Sequence, residues 1–133
     1  MTSQSQSKKK MVLVLPPGKK QGQRINPSHH PIMTATLAGI ARASGAQVSV
    51  IDALITGHSQ RQLVEDLANG SADWIGIMPY EYRRELPIEY SIGLAQALKD
   101  SGCSASIGLV NCSEESSLAK EAIGTSIDFF YFG

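Results

Sequence analysis

Five short apolar runs punctuate the chain, with amphipathic segments between them. Met11-Val12-Leu13-Val14-Leu15 has no polar interruption and stops at Pro16-Pro17-Gly18. Continuous hydrophobicity without alternation marks a strand buried on both faces of a parallel sheet. The segments 47–51 (closed by Asp52), 73–78 (stopped by Pro79), 105–110 and 127–132 are short and rich in apolar residues, though with polar ones among them, and bring the predicted strands to five.

Between the strands the period changes to that of a helix. Ile32, Ala35, Leu37, Ala38, Ile40 and Ala41 predict a first helix closed by Ser44-Gly45. Leu63, Val64, Leu67 and Ala68 predict a second, with Ser59 as N-cap and Asn69-Gly70 as its end. Ile88, Ile92, Leu94, Ala95 and Leu98 predict a third, closed by Ser101-Gly102, and Leu118, Ala119, Ala122 and Ile123 a fourth, ended by Gly124.

Strand and helix thus alternate from residue 11 onward, and parallel strands joined by right-handed crossovers are the common way to build that order. The expected fold is α/β, a flavodoxin-like (Rossmann-like) open parallel sheet of five strands in the order 2-1-3-4-5. A fifth helix usually follows the fifth strand and packs on the same face as the first. The sequence stops at Gly133, so the expectation is either that the sheet leaves an apolar face partly uncovered, or that a second copy in a homo-oligomer, another partner or a following domain covers it.

Composition narrows the class without naming a function. The chain has 133 residues, 42% hydrophobic and 18% charged, with 12 basic and 12 acidic side chains and no formal net charge. These are values of one globular domain. Zero net charge argues against broad electrostatic binding to nucleic acid or to an anionic membrane. No apolar run approaches the ~20 residues of a membrane span. Residues 1–10, all Ser, Gln, Thr and Lys apart from Met1, predict a disordered tail, and residues 11–133 form the domain. Lys8-Lys9-Lys10 reads as a solvated flank of the first strand. Cys103 and Cys112 have neither the C-x-x-C nor the zinc-ligand spacing, so free thiols are expected. With no secretory signal, a cytoplasmic location is expected.

In an open parallel sheet, ligands bind beyond the carboxyl ends of the strands where strand order reverses. For the order 2-1-3-4-5 that point lies between the first and third strands. The bordering loops, 16–30 and 79–87, exceed the usual 2–6 residues of such connections. One carries Lys19, Lys20, Arg24, Asn26, His29 and His30, the other Tyr80, Glu81, Tyr82, Arg83, Arg84 and Glu85. Two aromatics and two arginines this close suit a cofactor edge or a partner surface, with a plain exposed loop as the alternative. A neutral imidazole from His29 or His30 would suit a metal, with a solvated loop histidine or a capping contact as the plain alternative. Asp52 suits a ribose hydroxyl or a local turn, Trp74 suits core or sheet-face packing, and Cys112 suits a reactive or a structural thiol. The dinucleotide G-x-G-x-x-G and the P-loop G-x-x-x-x-G-K-[ST] are both absent after the first strand. The acidic residues of a phosphoryl-accepting receiver and the Ser/Thr-rich phosphate loop of a flavodoxin are absent too.

One family has this order of residues. Val12-Leu13-Val14-Leu15-Pro16-Pro17-Gly18, then His30-Pro31, then Leu37-Ala38-Gly39-Ile40-Ala41, Gly45 and Val48-Ser49-Val50-Ile51-Asp52-Ala53 resemble the N-terminal cobalamin-binding domain of B12-dependent radical-SAM enzymes. Ala72-Asp73-Trp74-Ile75-Gly76-Ile77 resembles the third strand of that family, and Ile127 to Gly133 its fifth, which normally continues into a Gly-Glu-rich linker and the catalytic barrel. The resemblance implies that the corrin of cobalamin lies above the strand carboxyl ends. Pro17, Gly18, His29, His30 and Pro31 would meet it from the first loop, with His30 as the lower ligand of cobalt. Met78, Pro79, Tyr80, Glu81 and Tyr82 would meet it from the second loop, and Asn111, Cys112 and Ser113 from the end of the fourth strand. It further implies methyl or alkyl transfer assisted by a radical-SAM domain, downstream or in trans. That domain needs a C-x-x-x-C-x-x-C site for an iron–sulfur cluster, and two cysteines cannot supply one, so this chain by itself is not expected to be the catalyst. The D-x-H-x-x-G of methionine-synthase-type domains is absent, and Asn111-Cys112 stands where the family usually has Gly-Gly. The alternative expectation is a cofactor-free flavodoxin-like module for protein interaction or regulation.

Overall fold

A computed structural model describes residues 9–16, 32–78, 80–81, 84–85, 88–112 and 124–132. Its elements are β1 (Lys10–Leu15), α1 (Ile32–Ala43), β2 (Gln47–Asp52), α2 (Ala53–Thr56), α3 (Gln60–Ala68), β3 (Trp74–Ile77), β4 (Tyr80–Glu81), β5 (Arg84–Glu85), α4 (Ile88–Asp100), β6 (Ser106–Cys112) and β7 (Phe129–Phe132). The strands stand within one or two residues of the apolar runs. The expected fourth helix, around Leu118 to Ile123, lies outside the described residues.

The sheet runs β2-β1-β3-β6-β7. Its first four strands are parallel in the order 2-1-3-4, which is consistent with a flavodoxin-like fold. β7 pairs in parallel with the outer edge of β6.

Alternation along β1 divides the core in two. Val12 and Val14 point to one face, where Leu63 and Leu67 of α3, Leu94, Ala95 and Leu98 of α4, and Ile75, Ile77, Ile107 and Leu109 of the sheet form the larger cluster. Cys103 is a free thiol packed against its margin. Met11, Leu13 and Leu15 point to the other face, where Leu37 and Ala38 of α1, Val48, Met78, Val110 and Phe129 make a smaller one. Spacings of three and four residues along α3 and α4 put each apolar stripe on the sheet side.

Local chemistry sets the helix ends. Ser59 Oγ accepts the Gln62 N–H, and the Gln62 side chain accepts the Ser59 N–H, a reciprocal cap that starts α3 where the pattern predicts. Gly45, at φ +99°, lets the chain leave α1 in the left-handed conformation.

Two elements were not visible in the pattern. α2 is a single turn directly after β2, held by the buried Ala53 and by the Gly57 N–H donating to the Ala53 carbonyl. The loop expected over 79–87 contains an antiparallel hairpin, with Tyr80 opposite Glu85 and Glu81 opposite Arg84.

Candidate functional site

Parallel pairing brings the ends of β1, β2, β3, β6 and β7 to one edge of the sheet. β1 and β3 are neighbours there, yet the chain leaves them in opposite directions, β1 toward β2 and β3 toward β6. The helix after β1 covers one face and the helices before and after β3 cover the other. In open parallel sheets a crevice lies beyond the strand ends at such a point, and the β4–β5 hairpin follows β3 directly there. The N-termini of α1 and α4 open at this same edge. A helix N-terminus carries partial positive charge, which suits an anionic or dipolar group.

The floor of the crevice is apolar and closely packed. The Met78 N–H donates to the Val14 carbonyl at 2.8 Å, extending the β1–β3 pairing past the last residue of β3. The Met78 side chain is buried in the α1-side cluster with Leu13, Leu15, Ala38 and Val110, and Pro16 is fully buried. Met78 thus serves as floor. Asp52 ends β2 in register with Leu15.

The end of β6 departs from regular pairing. Val110 is in register with Tyr131 and Cys112 with Phe132, so the register shifts across Asn111. An extra residue of this kind bends a strand and re-aims a side chain, often beside a site.

Of the residues expected to meet a cofactor, Met78 has the place just given, Tyr80 and Glu81 form β4, and Asn111 and Cys112 end β6. Pro17, Gly18, His29, His30, Pro31, Pro79, Tyr82 and Ser113 lie outside the described residues, as does any role of His30 as a metal ligand. Among the described residues no three His, Cys, Asp or Glu side chains are arranged to hold a metal ion. No described helix is long and apolar enough to cross a membrane.

A second concavity lies at the opposite, amino-terminal end of β3 and β6, on the α1 face. It encloses about 540 Å³ between Met11, Leu37, Ile40, Ala41, Trp74, Val110 and Phe129, with Ser106 and Asp128 at its rim. Trp74, expected in the core or on a sheet face, stands on the sheet face and is 40% exposed. α1 is the only described helix on this face, and it sits over β2 and β1, so β3 and β6 are left open among the described residues.

Comparison of the chain with protein-family models, with curated proteins and with solved structures finds no match.

Proposed function

We propose that this chain is a cytoplasmic cobalamin-binding module that holds the corrin over the carboxyl edge of its sheet. The methyl or alkyl transfer it serves would be carried out by a radical-SAM domain, downstream or in trans. The observation that carries the proposal is the β1–β3 crevice with the β4–β5 hairpin beside it. The segments that resemble the cobalamin-binding family fall on β1, α1, β2 and β3 in family order. On this reading the nucleotide tail would lie beside β6, and His30 would be the lower ligand of cobalt.

Titration with hydroxocobalamin tests this. Binding is expected to change the visible spectrum of the corrin and to raise the melting temperature of the protein. Neither effect at high micromolar cofactor would reject the proposal for this chain. If His30 ligates cobalt, replacing His29 and His30 together with Ala alters the bound spectrum, and an unaltered spectrum removes that role.

The open apolar groove favours a second function, a cofactor-free interaction module whose α1-side face is covered by another copy of the chain. Ile40, 56% exposed on its wall, is the residue to change. Ile40→Glu is then expected to convert a sedimenting dimer to monomer, and a wild-type chain that sediments as a monomer at all concentrations removes this alternative.

A further inference from the structure

Between β2 and α3 the chain sets a hydroxyl, an imidazole and a carboxylate in line. Thr56 Oγ1 lies 2.5 Å from His58 Nδ1, and His58 Nε2 lies 2.8 Å from Asp66 Oδ2. Three local features build this arrangement. Gly57, at φ +79°, turns the backbone so that the side chains on either side of it meet. Thr56 Oγ1 also accepts the His58 backbone N–H at 3.4 Å. The reciprocal cap of Ser59 and Gln62 anchors the start of α3, and Asp66 follows Gln62 by one helical turn on the same side.

The partners determine where the protons sit. An ionised carboxylate only accepts hydrogen bonds, so Nε2 carries the ring proton and donates it to Asp66. Nδ1 is then left with a lone pair facing the Thr56 hydroxyl. This is the division of roles in a nucleophile–base–orienter relay, with the two ring nitrogens interchanged relative to the serine-protease arrangement. Thr56 is exposed, His58 is half-buried, and a polar pocket of about 270 Å³ opens beside them, walled also by Gln62 and Glu65.

We propose that Thr56 is an acyl-accepting nucleophile acting on small activated esters, such as aryl esters or thioesters. Asp66 and Glu65, the latter paired with Arg61 at 3.2 Å, put two carboxylates on the pocket wall, so anionic acyl groups are disfavoured. Thr56 Oγ1 attacks the carbonyl carbon and its proton passes to His58 Nδ1, while Asp66 stabilises the imidazolium. The tetrahedral adduct collapses, the bond from carbon to the leaving oxygen or sulfur breaks, and the leaving group takes the proton from Nδ1. Water, deprotonated by the same nitrogen, then attacks the acyl-threonine, releases the acid and restores the hydroxyl. Thr56 and His58 are the catalytic residues and Asp66 is a positioning residue.

The test uses the full chain with p-nitrophenyl acetate and no cobalamin, so its outcome is independent of the proposed cofactor function. Nitrophenolate release is followed while peptide mass spectrometry locates the acetyl group. The expected result is acetyl on Thr56, with release falling about a hundredfold in Thr56→Val and in His58→Gln. Thr56→Ser is expected to keep both acetylation and release, which separates loss of the hydroxyl from loss of fold. Asp66→Asn is expected to slow release and displace its pH profile, and Asp66→Glu to restore both. Acetyl found only on lysines or the N-terminus, or wild-type release from Thr56→Val, overturns the proposal.

Discussion

The ring of Phe129 occupies the space that a side chain on Gly108 would need. The two residues are in register on neighbouring strands, and a Cβ on Gly108 would come within about 2.5 Å of three ring atoms. Gly108 pairs in turn with Gly76, and Gly76 with Leu13, so one row across four strands reads Leu, Gly, Gly, Phe. A Cβ on Gly76 would meet Val110 Cγ1 at 2.9 Å and Leu13 Cδ2 at 3.0 Å. The bulky neighbours lean into the space that the glycines leave, and two of them, Val110 and Phe129, line the α1-side groove.

Gly108→Ala is therefore expected to destabilise the protein by about 1–3 kcal/mol, the usual cost of overpacking. Urea unfolding of the single variant and of the pair with Phe129→Ala measures it. In the Phe129→Ala background the added methyl has room, so its cost should be clearly smaller, as coupled neighbours require.

Asp128 ties α4 to the entry of β7. Lys99 Nζ donates to both its carboxylate oxygens at 2.7 and 2.8 Å, and the Ile107 N–H donates to one of them at 2.8 Å. Burial by itself would raise the carboxyl, but the bonds from Lys99 and Ile107 and the charge of Lys99 outweigh it and hold the group below its ordinary value. A carboxyl depressed in the folded state contributes stability above its unfolded value near 3.9 and loses it as pH falls through the folded value. Both side chains are more than a third exposed, which limits the contribution to about 0.2–1 kcal/mol. Wild-type stability is expected to fall in acid below about pH 4 more steeply than that of Asp128→Asn, as measured by chemical unfolding across pH.

The cap of α3 is expected to be worth about 1 kcal/mol. Ser59→Ala removes the acceptor for the Gln62 N–H, and the loss should appear as a lower urea midpoint with an unchanged slope. Gln62→Ala, which leaves the serine in place, should cost less.

Leu63 and Trp74 should respond to truncation by different amounts. Leu63 is fully buried in the larger cluster, so Leu63→Ala is expected to cost about 2–5 kcal/mol. Trp74 is the chain's one tryptophan and its indole borders the open groove. Trp74→Ala should cost less than Leu63→Ala, and acrylamide should quench the wild-type fluorescence readily.

How much of this was legible beforehand follows from the range of each interaction. β1 was legible because a strand covered on both faces must be apolar throughout. α3 was legible because its cap and its stripe lie within nine residues. The single turn of α2 was hidden because four residues are too few to show a period. Of the candidate site, the switch point followed from element order, whereas the hairpin did not, since its two-residue strands have no apolar pattern. His58 was missed altogether, although Thr-Gly-His ahead of a capped helix bearing Asp66 was a signal open to notice.

The sequence alone located β1, α1, β2, α3, β3, α4, β6 and β7 to within about two residues, and with them the switch point between β1 and β3. Burial on both sides of a strand and capping within one turn are local demands, written into neighbouring residues. Only the tertiary structure decided that Phe129 would lie on Gly108, that Lys99 would reach Asp128 across 29 positions, and that Trp74 would face an open groove. These depend on strand register and on which helix covers which face, and a one-residue change of register would turn each side chain to the other side of the sheet.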